Sequence, residues 1–208
     1  MNAFVFVEVK NFYLVILIAL ASVFFVTNVS ANVLEPQALV EQVAEKTIKR
    51  LKVEKERIDK EPNYVNAVIN ELLIPHFDFE RMARWTLGKH WRKAKSDQKK
   101  AFVEEFKSLL VRTYASSLRE FADQEIKYSP FRGVLESGDV TVRSEIEQPG
   151  GFPIPINYKL FLKDARWMVY DITIDDISLI SNYRSSFSRQ IRKTGLDKLI
   201  LDLADKNK

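Results

Sequence analysis

The chain contains no cysteine and only two histidines, His76 and His90, which closes the usual routes to disulfide, thiolate and metal chemistry. No CxxC, HExxH or histidine-rich spacing occurs, and the two histidines read as ordinary side chains near helix ends. Glycine is almost as scarce. The six glycines include no G-x-G, so there is no phosphate-cradling loop, and without a G-x-S-x-G there is no nucleophile elbow. Beyond residue 26 no apolar run approaches the roughly 20 residues that a membrane-spanning helix needs. A dominant charge is missing too: the net +4 is spread along the chain without blocks and draws only weakly toward an anionic partner.

Residues 1–31 read as a cleavable secretory signal peptide. Lys10 supplies a positive start, residues 14–26 (LVILIALASVFFV) an unbroken apolar stretch, and Val29-Ser30-Ala31 the small residues of a cleavage site. The apolar residues 3–9 would, if they joined that stretch, make an uncleaved anchor instead. The expected mature chain, residues 32–208, shows no linker, repeat or low-complexity tract and is long enough for a single domain. With no disulfide available, packing must hold it together.

The first half of that domain has helical period. Glu35-Pro36 opens a stripe of Leu39, Val40, Val43, Thr47, Leu51 and Ile58. Pro62 begins a second helix, with Val65, Val68, Ile69 and Leu72 on one side, and Pro75 ends it. Asp78 is an N-cap for a third helix that Gly88 stops. Ser96-Asp97 opens the longest, with Phe102, Phe106, Leu109, Leu110, Tyr114, Leu118 and Phe121.

The period then changes to two. Val140, Val142, Ser144 and Ile146 alternate with polar residues, as do Ile154, Ile156, Tyr158, Leu160 and Leu162, and then Met168, Tyr170, Ile172 and Ile174. Turns at Pro149-Gly150-Gly151 and Asp164-Ala165 join these segments into an antiparallel meander, and residues 125–128 add an edge strand. Helical period returns with Leu179, Ile180, Tyr183, Phe187 and Ile191, and again after Gly195. The expected fold class is α+β: a curved antiparallel sheet of about four strands, covered on one face by several helices, in a single domain.

Two further chemistries are open to such a chain. A helix-covered sheet can bury a carboxylate as a general base, which would make a small conical-pocket enzyme. Asp171 is its best candidate, yet alternation places it with Trp167 and Thr173, away from the apolar set and toward solvent. Arg81, Arg84, Lys89, Arg92, Lys93 and Lys95 surround Trp85 and Trp91, a pattern seen in nucleic-acid binding. In an exported chain diluted by Glu80 and Asp97, it reads as a solvated helix face, and no nucleic-acid partner is expected. The same face toward an envelope protein is the protein-binding alternative.

Residues 73–92 carry an acidic residue in an aromatic frame (Phe77-Asp78-Phe79), then Leu87-Gly88 and Trp91-Arg92. A Gln98, Phe102, Phe106 helix follows, running to Thr113-Tyr114-Ala115. Farther on come Trp167-Met168-Val169-Tyr170-Asp171-Ile172 and Ser178-Leu179-Ile180-Ser181-Asn182-Tyr183-Arg184. In this order the blocks resemble the MlaC, or toluene-tolerance, family of periplasmic phospholipid-binding proteins. One departure is Asp176-Ile177, where that pattern commonly has a glycine and a small apolar residue.

The resemblance implies a non-enzymatic carrier without a cofactor, holding a glycerophospholipid as cargo in a deep apolar pocket. It also implies transfer between an inner-membrane lipid transport ATPase complex and an outer-membrane lipoprotein complex, with transient membrane contact, to maintain outer-membrane asymmetry. A hopanoid-type cargo is the alternative within the family. A pocket sheltering two tails calls for about 1,000 Å³. Val142, Ile146, Ile156, Tyr158, Leu160, Tyr170 and Ile172 are the candidates for its sheet wall. Phe79, Met82, Leu110, Tyr114, Tyr183 and Phe187 are those for its helical wall, each equally readable as ordinary core. Arg184 is the candidate for the head-group phosphate.

Overall fold

The computed structural model describes residues 34–207; the expected signal peptide lies outside them. Helix α1 (Pro36–Val53) opens on the proline, whose missing N–H would have had no partner in the first turn anyway. The stripe expected to continue to Ile58 breaks at Glu54, and a separate short helix, α2 (Lys55–Lys60), buries Ile58. Helix α3 (Tyr64–Leu72) stops short of Pro75 and passes through a 3₁₀ turn at Ile74–His76, because proline has no N–H to continue the α-helical ladder.

Asp78 caps α4 (Phe79–Leu87) by accepting the Arg81 N–H at 2.8 Å. Gly88, at φ +53°, ends it in a conformation that costs glycine little. Helix α5 (Lys89–Lys93) is too short to carry a readable period. Helices α6 (Ser96–Glu120), α7 (Leu179–Thr194) and α8 (Leu196–Asn207) complete the helical set, with Gly195 separating the last two.

The sheet has five antiparallel strands in sequence order: β1 (Ile126–Tyr128), β2 (Asp139–Ile146), β3 (Ile154–Lys163), β4 (Arg166–Ile174) and β5 (Ile177–Ser178). The two-residue β5 covers part of β4's outer edge. Phe77 bridges to Val169 farther along the same edge, and the Asp78 N–H donates to the Val169 carbonyl at 2.9 Å. Little of that edge is left open to another chain.

The alternation expected for β4 is broken. The β3–β4 register slips between Lys159 and Leu160, so Lys159 pairs with Asp171 while Leu160 pairs with Val169. The extra residue makes a bulge, which turns Tyr170 and Asp171 to the same side. Trp167 and Val169 consequently join Leu160 and Ile172 on the helix-covered face. Tyr170, expected on that face, lies on the other, where its ring meets Phe161 at 5.9 Å and Trp85 at 4.9 Å. Its hydroxyl donates to the Asp139 carboxylate at 2.9 Å. Asp171, expected in solvent, is buried instead, because its two oxygens receive the Ser178 hydroxyl (2.8 Å) and the Ile180 N–H (3.2 Å) at the start of α7.

Apolar packing divides among three cores. Met82, Leu87, Phe102, Phe106, Phe187 and Leu199 join α4, α6, α7 and α8. Leu51, Ile58, Val65, Val68, Ile69 and Ala115 join α1, α2, α3 and α6. Val40, Val140, Val142, Leu160, Trp167 and Val169 fasten the first turns of α1 to the sheet. Phe102 and Phe106 are fully buried, and each such side chain contributes roughly 2–3 kcal/mol.

The basic cluster is also partly consumed by the fold. The Arg81 guanidinium lies 3.8 Å over Phe161 and within 5.0 Å of Trp85, and it pairs with Asp139 at 3.8 Å. Lys99 sits over the Trp91 ring.

Asp78 ties α4 to the sheet, since Lys163 at the end of β3 pairs with it at 2.9 Å. Burial pushes its carboxyl up, but the Arg81 N–H and the Lys163 ammonium outweigh that and hold it below the usual range. A carboxyl lowered in the folded state stabilises above its ordinary pKa of about 4, and that stabilisation fades as pH falls through the lowered value. Thermal unfolding followed from pH 7 to pH 3 should therefore lose midpoint more steeply in the wild type than in Asp78→Asn.

Candidate functional site

The buried residues of the three cores form separate clusters, with Phe77 packed against two of them. Between them lies a hollow of about 330 Å³, or about 1690 Å³ of atom-free space when the part open to solvent is included. The enclosed part is smaller than the roughly 1,000 Å³ expected for two sheltered tails and lies at the lower end of ordinary ligand pockets. Each core lends its inner edge to the wall: Val40 and Val169 from the sheet side, Leu51 and Ile69 from α1 and α3, Met82 and Leu110 from α4 and α6.

One wall is strand. Ile146, Ile156, Tyr158 and Ile172 line it, joined by Ile126, Ile154 and Ile174. Register explains the grouping: Ile126 faces Ile146, Ile146 faces Ile154, and Ile156 faces Ile174, so one end of the sheet carries a continuous band of isoleucine. The opposite wall is helical. Leu110, Tyr114, Ser117 and Leu118 descend α6 at helical spacing to Phe121 at its C-cap, while Val43, Ala44, Thr47 and Ile48 follow α1.

The few polar groups on this wall are occupied or neutral. The Thr47 hydroxyl donates back to the Val43 carbonyl at 2.7 Å. Burial pushes the Tyr114 hydroxyl up to about 12, helped by its neighbour and hydrogen-bond partner Tyr183. Burial likewise raises Tyr158, whose hydrogen-bond partner is Ser144. Burial, with Lys46 and Arg166 adding to it, holds His76 below the usual imidazole range, so its ring is neutral at pH 7. Among the described residues, no group of three or more His, Asp or Glu is placed to hold a metal.

Of the residues expected to line a pocket, Phe79, Met82, Leu110, Tyr114, Ile146, Ile156, Tyr158 and Ile172 lie on the wall. Val142 and Leu160 sit on the same sheet face but are packed into the core beneath α1. Tyr183 and Phe187 belong to the aromatic cluster behind α6, with Phe106 at 5.4 and 6.0 Å from them, and Tyr170 is on the far side of the sheet. Arg184 is exposed beside Gly88, away from the lining. The α1 contribution is invisible in the sequence, because a helix that touches both a core and a hollow shows a single apolar stripe.

The family model described as MlaC protein matches residues 41–205. The chain belongs to the MlaC family. It is 23% identical over 197 residues to the intermembrane phospholipid transport system binding protein MlaC of Haemophilus influenzae, covering 93% of this chain and 92% of that protein. It is 26% identical over 187 residues to the toluene tolerance protein ttg2D of Pseudomonas putida, covering 88% and 86%. A phospholipid-binding protein from Ralstonia solanacearum, solved in complex with a phospholipid, superposes with a TM-score of 0.76 at 30% identity. That match covers 82% of this chain and 96% of the other.

The likeness to MlaC proteins thus spans the helices and the sheet. The departure at Asp176 falls in a two-residue turn where Asp175 and Asp176 both have positive φ, +47° and +60°. Such turns favour glycine or asparagine, and aspartate is among the residues that tolerate them.

Proposed function

We propose that this protein is a periplasmic phospholipid carrier, moving glycerophospholipid between an inner-membrane lipid transport ATPase complex and an outer-membrane lipoprotein complex to maintain outer-membrane asymmetry. The observation that carries this reading is the hollow itself: an apolar space walled by residues from all three cores, with few polar side chains in its lining.

The physics explains why such a protein is needed. Two acyl tails hold about 30 methylenes, and at roughly 0.8 kcal/mol each their exposure to water costs on the order of 20 kcal/mol. A carrier that shelters both tails removes most of that barrier. The wall is built for it, since Ile, Leu, Val and Met side chains set no hydrogen-bond pattern and tolerate different tails. The relatives support the cargo class, one being named for intermembrane phospholipid transport and another solved with a phospholipid bound. No helix among the described residues is long and apolar enough to cross a membrane, as a diffusing carrier requires.

Native mass spectrometry tests the proposal. The purified protein should carry an added mass of one phospholipid, and organic extraction should release a glycerophospholipid. A hopanoid in the extract would move the cargo class, and a uniformly apo mass over several preparations would defeat the carrier reading.

A further inference from the structure

The turn between β2 and β3 is unlike the rest of the surface. In a chain where 29% of residues are charged, residues 148–158 contain no charge at all. Within this stretch Pro149, Gly150 and Gly151 shape the turn, and Phe152 stands 92% exposed, the most exposed of the large apolar side chains described. Leaving a phenylalanine in water forgoes most of the stabilisation that burying it would bring, and the fold offers it no pocket.

Position gives this exposure its meaning. The strands that flank the turn end on Ile146 and Ile154, which pair with each other and both line the hollow. The turn is thus the outward continuation of the isoleucine wall. A second exposed apolar side chain, Ile177, lies at the same end of the sheet, where the Asp175 N–H donates to the Pro155 carbonyl at 3.0 Å.

The ionic groups around this end decide which surface it suits. Glu125, Glu145, Asp175 and Asp176 are exposed there, and Lys127, their counter-charge, is paired with Glu147 at 2.8 Å. Excess negative charge opposes an anionic surface but not a zwitterionic one. We propose that the uncharged β2–β3 tip, with Phe152 at its apex, touches a zwitterionic lipid bilayer while the adjoining hollow exchanges its cargo. The inference rests on the carrier reading and adds the surface through which a carrier meets lipid. Aromatic side chains favour the headgroup level of a bilayer, and a turn without charge loses little by entering it.

Phe152→Trp and Phe152→Ser test the proposal on the lipid-loaded protein with protein-free vesicles. Brominated phosphatidylcholine should quench the F152W protein more than the wild type, whose Trp85, Trp91 and Trp167 give the baseline. F152S should partition about tenfold more weakly and transfer a fluorescent phospholipid between vesicles correspondingly more slowly. Replacing phosphatidylcholine by phosphatidylglycerol should weaken partition of the wild type at low salt. Equal quenching of F152W and wild type, with F152S partitioning unchanged, overturns the proposal. Quenching seen only when a protein partner is added assigns the tip to that protein and overturns it as well. Native mass spectrometry of F152S keeps the two readings apart: it should retain lipid like the wild type, whereas a lipid-free wild type defeats the carrier reading itself.

Discussion

Filling the hollow should abolish lipid carriage while leaving the protein folded. Ala44 on α1 and Ser117 on α6 are the smallest side chains on the wall, one from each facing helix. Ala44→Phe with Ser117→Phe places two rings where acyl chain would lie. Because the hollow is open space, the added atoms meet little overpacking strain, the usual cost of enlarging a core residue. The bound phospholipid should fall from about one per protein to under about a tenth, a change of at least roughly 1.4 kcal/mol in binding. The thermal midpoint should hold or rise. Phospholipid phosphorus per mole of protein, measured beside a melting curve, reads both quantities. A filled variant that keeps its full lipid complement would show that cargo does not occupy this space.

Removing the Asp171 carboxylate should destabilise the protein without touching its cargo. Its two oxygens receive the Ser178 hydroxyl and the Ile180 N–H, and Lys159 approaches to 3.7 Å. Asp171→Ala leaves the first turn of α7 with only its Ser178 cap and leaves two donors without partners. Losses of about 1–3 kcal/mol attend each buried group left unpaired. A total of roughly 3 kcal/mol lowers the midpoint of a domain this size by about 6–12 °C. Asp171→Asn, which keeps one acceptor oxygen, should fall between. Lipid content per folded molecule should be unchanged, because Asp171 is absent from the wall. A drop in lipid content at unchanged stability would return Asp171 to the site and reopen the enzyme reading, whose general base it would be.

Much of the architecture is legible in the sequence because it depends on near neighbours. The Asp78 cap and the Gly88 and Gly195 stops are local events, and each appears where composition places it. The β2 alternation is equally plain, since one face of that strand is buried and the other wet. Strand β4 fails the same reading for a definite reason. Its bulge is set by pairing with β3, and a single extra residue reverses the facing of Trp167, Met168, Val169 and Tyr170. Nothing in residues 166–174 announces it.

The site divides along the same line. The absence of cysteine, histidine clusters and glycine loops leaves no sequence motif for metal, thiolate or phosphate-cradling chemistry, and the aromatic and Tyr-Asp blocks point to the family. Apolar period cannot say whether a side chain meets another side chain or an empty space. Tyr114 and Tyr183 show this. Both sit on apolar helical stripes and they are hydrogen-bond partners, yet Tyr114 faces the hollow while Tyr183 packs behind it against Phe106 and Phe187. Sequence alone therefore determined the element types, the chemistry excluded and the kinship. Tertiary structure decided where the three cores leave a hollow, because where packing ends depends on helix and strand placements that no local pattern encodes.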